Sequence, residues 1–318
     1  MPGSPRGFRI LKHMTTTPLT GTQHEIRAGG YRAALTELGA GLRELTHNGH
    51  AVIIGHDPDE LPPHSAGQLL APWPNRIEGG RYRFGGADHQ LALSEPTRGN
   101  AIHGLTRWLP WACVAREPDS VVLRSEPHGH QGYPFCVQVE TRYSLDASDG
   151  LRVEITASNQ GSRPAPWGTG SHPYLTLGTE SVDGLELTLP AGRRLPVDDR
   201  GIPSGPAEDV TGTEFDFRKP RLIGETQLDH AFTDLERDAD DLAWVRMSAD
   251  GTALGVWADA GYNWLQVFTG DPLEPERRRK ALAVEPMSCP PNAFASGEDL
   301  VILSPGDSVT HTWGITLL

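Results

Sequence analysis

The sequence predicts an all-β fold, a large antiparallel sandwich with few short helices, on three observations. Gly (36) and Pro (27) are abundant among 318 residues, so turns are frequent and long uninterrupted helices are disfavoured. Runs with apolar residues at every second position recur from about residue 31 to the C-terminus, which is the spacing of half-buried strands. Segments with the 3.6-residue period of an amphipathic helix are lacking. The best short candidate, residues 235–242, is so rich in acid that little apolar face remains.

Taken in order, the first strands run from Tyr31 to Leu45 and from Ala51 to Ile54, and Asn48-Gly49 between them suits a type I′ hairpin turn. A second hairpin is expected where Arg81 to Phe84 and Gln90 to Leu93 flank Gly85-Gly86. Further period-two runs occupy residues 120–124, 136–145, 151–158, 185–189, 253–257, 264–269 and 309–317. Strands spaced this regularly, without intervening helices, imply a sandwich rather than βαβ units. Residues 201–212, rich in Pro, Gly and acid, read as a surface excursion. No fixed-period repeat or low-complexity linker divides the chain. The expectation is one domain over residues 21–318, preceded by a flexible tail over residues 1–20.

A formal net charge of −13 disfavours a nucleic-acid partner, because phosphate binding is carried by clusters of Lys and Arg. Neutral or cationic small molecules fit this balance better. The one basic run, Arg277 to Lys280, reads as a solvated loop. Cys113, Cys136 and Cys289 are odd in number and widely spaced, without a C-x-x-C pair, which points to a reducing cytoplasm. The first twenty residues lack the apolar core of a signal peptide, and no stretch of about 18 apolar residues offers a membrane span. His128-Gly129-His130 has no third ligand at recognisable spacing and reads as a turn.

Four polar clusters interrupt the strand pattern: Trp73-Pro74-Asn75-Arg76, Asn100-Ala101-Ile102-His103-Gly104, Ser171-His172-Pro173-Tyr174 and Val284-Glu285-Pro286. Each sets an ionisable or amide side chain beside Gly or Pro, as connecting segments of a rigid sheet do when they present functional groups. Singly, none is specific. Together, and with Asp229 in Leu228-Asp229-His230-Ala231-Phe232, their order resembles the aldose 1-epimerase (galactose mutarotase) family from about residue 21 to the C-terminus.

That resemblance implies a galactose mutarotase-like β-supersandwich with an open cleft, no metal and no organic cofactor, and a small-molecule sugar as ligand for a monomer or homodimer. It assigns Glu285 as the base on the anomeric hydroxyl and His172, as imidazolium, as the acid on the ring oxygen. His103 polarises that oxygen, while Asn75, Arg76 and Asp229 hold sugar hydroxyls. The chemistry is sensible on its own terms. Opening a hemiacetal needs one proton accepted and one donated, and Glu and His exchange those roles near neutral pH once burial and neighbours shift them. Aromatic residues near these clusters suggest a stacking floor for sugar C–H faces, with Trp73, Tyr174 and Trp264 as candidates. Pro74, Gly104-Leu105 and Leu175-Thr176-Leu177 depart from galactose-type members, so no particular sugar is assigned. Three alternatives stand beside this reading: a hexose-6-phosphate 1-epimerase drawing on Arg107, Arg116 or the 277–280 run, a non-catalytic sugar-binding or sensing protein, and a glycoside hydrolase in which Asp229 faces Glu285.

Overall fold

The computed structural model describes residues 16–126 and 128–318, and these are built largely from antiparallel strands. Most of the expected N-terminal tail, residues 1–15, lies outside the described residues. Thr20, at its end, is buried, and its N–H donates to the Pro58 carbonyl at 3.2 Å. Among the described residues the α-helix content is a single turn, Ala293–Ser296, closed by Gly297 in the left-handed conformation.

One large sheet has nine strands. In spatial order they are Ala112–Arg116, Ser120–Ser125, Val137–Asp146, Gly150–Asn159, Ser308–Leu317, Thr252–Ala258, Ala243–Ala249, Glu186–Thr188 and Arg221–Leu222. Its spine is the hairpin of Val137–Asp146 with Gly150–Asn159, paired without slip over ten residues each. Val137, Val139, Tyr143 and Leu145 alternate inward and are buried, while Arg142 and Asp146 face outward. The turn is held by the Asp146 carboxylate, which accepts the N–H groups of Ser148 and Asp149. The Tyr143 hydroxyl donates to the Ala40 carbonyl at 2.7 Å. That bond ties the sheet to a four-stranded one made of Gln23–Ala28, Tyr31–Thr36, Leu42–His47 and His50–Ala51. Asn48 and Gly49 form its last turn with positive φ (50° and 83°), as a type I′ turn requires.

The other large sheet has shorter strands: Glu208–Asp209, Ala191–Arg194, Asp229–Leu235, Trp264–Phe268, Leu282–Met287, Gly170–Ser171 and Leu69–Leu70, with Tyr174–Leu175 also paired to Leu282–Met287. Phe232, Leu265, Val267, Leu282 and Val284 project from one face into the same apolar core as Val139, Val153 and Ile155 of the first sheet. The period-two alternation then obliges Asp229, Gln266, Phe268 and Glu285 to project from the opposite face.

Residues 235–242, whose acidic content left little apolar face for a helix, are not helical, and two other sequence expectations are corrected. The Asp229–Leu235 strand ends there, and Asp238 draws the chain into a turn by accepting the N–H groups of Asp240 and Leu242. The Gly85-Gly86 hairpin closes over two residues, so its return strand is Ala87–Gln90 rather than Gln90 to Leu93. In the basic run, Arg279 is not solvated: it bridges Asp183 and Asp271 at 2.6 and 2.8 Å and donates to the Gly224 and Thr226 carbonyls.

Candidate active site

Glu285 lies mid-strand in Leu282–Met287, and strand register decides its neighbours. On one side it is paired with Gln266. On the other, Gly170 pairs with Met287 and Tyr174 with Ala283, so counting inward from both bridges puts His172 opposite Glu285. Pro173 and Pro286 have no N–H to give the ladder between those bridges. His172 is instead clamped by its other neighbour: its N–H donates to the Gln68 carbonyl at 3.1 Å, and its carbonyl accepts the Gly67 N–H at 2.8 Å.

The outcome is direct contact, with His172 Nε2 3.3 Å from Glu285 Oε1 and both side chains buried. The two groups touch each other rather than facing across a sugar-sized gap. The His172 ring stacks on Tyr174 (centroids 4.9 Å, 21°) and meets the His103 ring edge-on at 5.4 Å.

His103 reaches this point from a separate ribbon, in which Arg76–Glu78 pairs with Asn100–Ile102. Asn75 and His103 both turn with positive φ (51° and 60°), and the His103 N–H donates to the Asn75 carbonyl at 2.8 Å. The next residue must be glycine. At Gly104, φ is 69° and a Cβ would lie 2.0 Å from the Ala71 carbonyl oxygen. Arg76 is held in a bidentate pair, Nε and Nη2 to the Glu95 carboxylate at 2.9 Å each, and Asn100 Nδ2 also donates to Glu95.

These residues line a cleft of about 270 Å³, at the small end of ligand sites, which run roughly 300–1,000 Å³. Of the residues expected from sequence, Glu285, His172, His103, Asn75, Arg76, Asp229 and Tyr174 all line it. Trp73 and Trp264 do not. Trp73 is packed in the core against Phe294 at 5.6 Å. Trp264 shares the Gln266 face but lies two residues along it, buried with Leu195, Ala231 and Met287, its Nε1–H donating to Asp299 at 2.7 Å. Aromatic surface in the cleft comes instead from Tyr174 and Phe268.

Gln266, Glu95, Ser65 and His64 are cleft residues that sequence reasoning passed over. Gln266 had a signal, a polar residue at an apolar-phase position of the 264–269 run. Its Nε2 donates to Asp229 Oδ1 at 2.8 Å. Asp229 is thus held by Gln266, from the strand between its own and that of Glu285, which weakens the hydrolase alternative of two opposed carboxylates. Arg107 also lines the cleft, whereas Arg116 lies on an exposed strand and donates to the Glu25 carbonyl.

Burial governs the electrostatics. It pushes His172 down to about 3, with the charges of Arg107, His64 and Arg76 adding to the effect against a backbone hydrogen bond. It pushes Glu285 well above the usual carboxylate range, with the Asp229 charge adding and Arg76 opposing. His103 is held well below the ordinary histidine value by burial and by the cationic groups around it. Both shifts favour the uncharged forms, a carboxylic acid beside an imidazole. The cause is that desolvating two charges opposes the ionised pair. His172 Nδ1, His103 Nδ1 and Glu285 Oε2 are buried without a hydrogen-bond partner, and such atoms call for a ligand's polar groups. One donor atom from each of His103, His172 and Glu285 lies within 4.8 Å of the others. Those three would also serve as protein ligands to a tetrahedral cation with one open position.

Strands of an all-β fold thus bring a buried acid and two histidines to one open cleft. The fold is shared with the GalM/aldose epimerase homologue of C. elegans (TM-score 0.83, 23% identity, 93% of this chain and 99% of that one). It is shared too with galactose 1-epimerase of Lactobacillus acidophilus (TM-score 0.80, 23% identity, 93% and 94%). A family model described as aldose 1-epimerase matches residues 22–316, and the chain belongs to that family. Among sequence relatives, the uncharacterized protein YihR of Escherichia coli is 39% identical over 293 residues, 92% of each chain. Galactose mutarotase of Mus musculus is 30% identical over 263 residues, 75% of this chain and 74% of its own. No helix among the described residues is long and apolar enough to cross a membrane.

Proposed function

We propose that the protein interconverts the α and β anomers of an aldohexose by acid–base ring opening and closure, with Glu285 and His172 as the proton carriers. The observation that carries this reading is their 3.3 Å contact inside the cleft. The resting pair holds one exchangeable proton, on Glu285. When sugar hydroxyls replace the lost hydration, that proton passes to His172, leaving Glu285 as base and His172 as acid. Glu285 then takes the anomeric proton as the C1–O5 bond breaks and O5 takes the proton from His172. The product is the open-chain aldehyde. Rotation about C1–C2 and the reverse transfers close the ring on the other face, and the pair returns with its one proton. His103 hydrogen-bonds near O5, and Asn75, Arg76 and Asp229 hold hydroxyls. Positioned acid and base groups are each worth roughly 10²–10⁴-fold.

Three free cysteines, of which Cys289 is buried, support a reducing, cytoplasmic setting. Either a monomer or a homodimer satisfies the reading, since every proposed site residue comes from one chain. Optical rotation of freshly dissolved α-D-glucose and α-D-galactose, followed with and without protein, tests the activity. Decay no faster than in buffer, for every sugar tried, points to the sugar-binding or sensing alternative.

A further inference from the structure

The cleft gathers three donors from separate pieces of chain. His103 sits in the turn after Asn100–Ile102, His172 in the link between Gly170–Ser171 and Tyr174–Leu175, and Glu285 in the middle of Leu282–Met287. All three are buried, and His103 Nδ1, His172 Nδ1 and Glu285 Oε2 have no hydrogen-bond partner among the described residues. One donor atom of each lies within 4.8 Å of the other two, and His172 Nε2 is 3.3 Å from Glu285 Oε1. Ligand distances of about 2.0–2.2 Å put neighbouring donors of a tetrahedral zinc site roughly 3.3–3.6 Å apart. One edge of such a site is thus already formed, and His103 closes the face with a shift of about 1.5 Å or less.

We infer that this trio captures zinc and that the captured ion inhibits the enzyme. Two imidazoles and one carboxylate suit zinc, whereas calcium and magnesium demand six or more oxygen ligands. Because all three side chains line the open cleft, the fourth position is left to water. Capture stands on the geometry alone, while its consequence rests on the proton transfer proposed above. An ion on Glu285 Oε1 and His172 Nε2 occupies the lone pairs that accept protons, so the sugar meets neither acid nor base. The hold is reversible rather than that of a resident cofactor. A metal-bound histidine ordinarily gives its outer N–H to an acceptor, and loss of such a partner costs roughly 10–100-fold in affinity. His172 Nδ1 has none among the described residues. Arg76 and Arg107 also bring positive charge to the same cleft, which opposes a cation.

Isothermal titration of the EDTA-washed protein with zinc chloride is expected to show one site per chain. His103→Gln and Glu285→Gln, checked for folding by circular dichroism, each weaken it by roughly tenfold or more, while joint replacement of the distant pair, His128→Gln with His130→Gln, leaves it unchanged. Cobalt(II) added to the wild type gives the intense visible bands of a four-coordinate centre. In polarimetry with α-D-glucose and α-D-galactose, saturating zinc slows the catalysed exchange by roughly tenfold or more, in step with occupancy. EDTA restores the rate, and magnesium at the same concentration has no effect. Absence of zinc binding, or binding that both site variants retain, overturns the capture. Full turnover with the site loaded, or turnover that appears only with zinc, overturns the inhibition. If no sugar is interconverted with or without zinc, the anomerase reading fails and the inhibitory half falls with it, while calorimetry and the cobalt spectrum still decide the capture.

Discussion

The two large sheets obey different rules. In the nine-stranded sheet, Val137–Asp146 and Gly150–Asn159 alternate buried and outward-facing residues with little interruption, and their ladder runs unbroken for ten residues. In the sheet that carries Glu285, strands are short, two prolines interrupt the pairing around His172, and polar groups sit where burial would favour carbon. Regular alternation maximises apolar burial and full hydrogen bonding. Departures from it cost stability, and here they coincide with a cleft whose buried polar atoms lack partners. One sheet supplies the platform, and the other is spent on chemistry.

That contrast is broken most sharply at Glu285. Glu285→Gln is expected to lower kcat by roughly 10²–10⁴-fold while circular dichroism stays that of the wild type; near-normal turnover would remove Glu285 as a proton carrier. His172→Gln should lose a similar factor. If instead it raised KM alone, the histidine would be a binding group.

On the other sheet the order of effects inverts. Leu123, fully buried in the Ser120–Ser125 strand, should cost about 2–5 kcal/mol of stability as Leu123→Ala, read from urea denaturation, with kcat of the folded fraction unchanged. A fall in kcat matching that of the Glu285 variant would end the division between platform and chemistry.

pH sharpens the same comparison, with signs that differ for the two partners. The Glu285 value is raised in the fold, so its stabilising contribution is complete below its unfolded value of 4.5 and is lost as pH rises toward the folded value. Glu285→Gln should therefore gain in melting temperature relative to wild type as pH increases above about 4.5. The His172 value is depressed from 6.5 to about 3, so its contribution is present above 6.5 and disappears as pH falls through that interval. The penalty of His172→Gln should accordingly shrink toward pH 3. Curves parallel at all pH values would contradict the neutral resting pair.

Two smaller effects complete the set. Trp264→Phe loses the hydrogen bond to Asp299 and should cost about 1 kcal/mol with little change in KM. A large rise in KM would return Trp264 to the sugar site. Prolonged EDTA treatment should leave turnover intact. A loss restored by zinc would recast His103, His172 and Glu285 as metal ligands.

Much of the platform was legible in the sequence because period-two alternation and Asn48-Gly49 turn chemistry are local properties. The polar clusters around Asn75, His103, His172 and Glu285 were legible as interruptions of that alternation, and resemblance supplied their order. The rest depends on contacts between distant segments. Trp73 and Trp264 read as sugar-stacking residues because nearness in sequence to a polar cluster says nothing about which side of a sheet, or how far along it, a ring falls. Glu95 gave no local hint of its pairing with Arg76. The resting protonation of Glu285 and His172 follows from burial, which sequence does not state.

Because the flanking bridges and the clamp from Gln68 and Gly67 set His172 opposite Glu285, the loops between them can vary in length so long as the Asp229–Leu235 and Trp264–Phe268 strands keep their pairing and their cleft residues. A single-residue deletion between Gly170 and Tyr174 is a different matter. It would turn the imidazole toward the opposite side and silence the enzyme while keeping the rest of the cleft, so evolution and engineering alike have wide latitude in the intervening loops and almost none in those five residues.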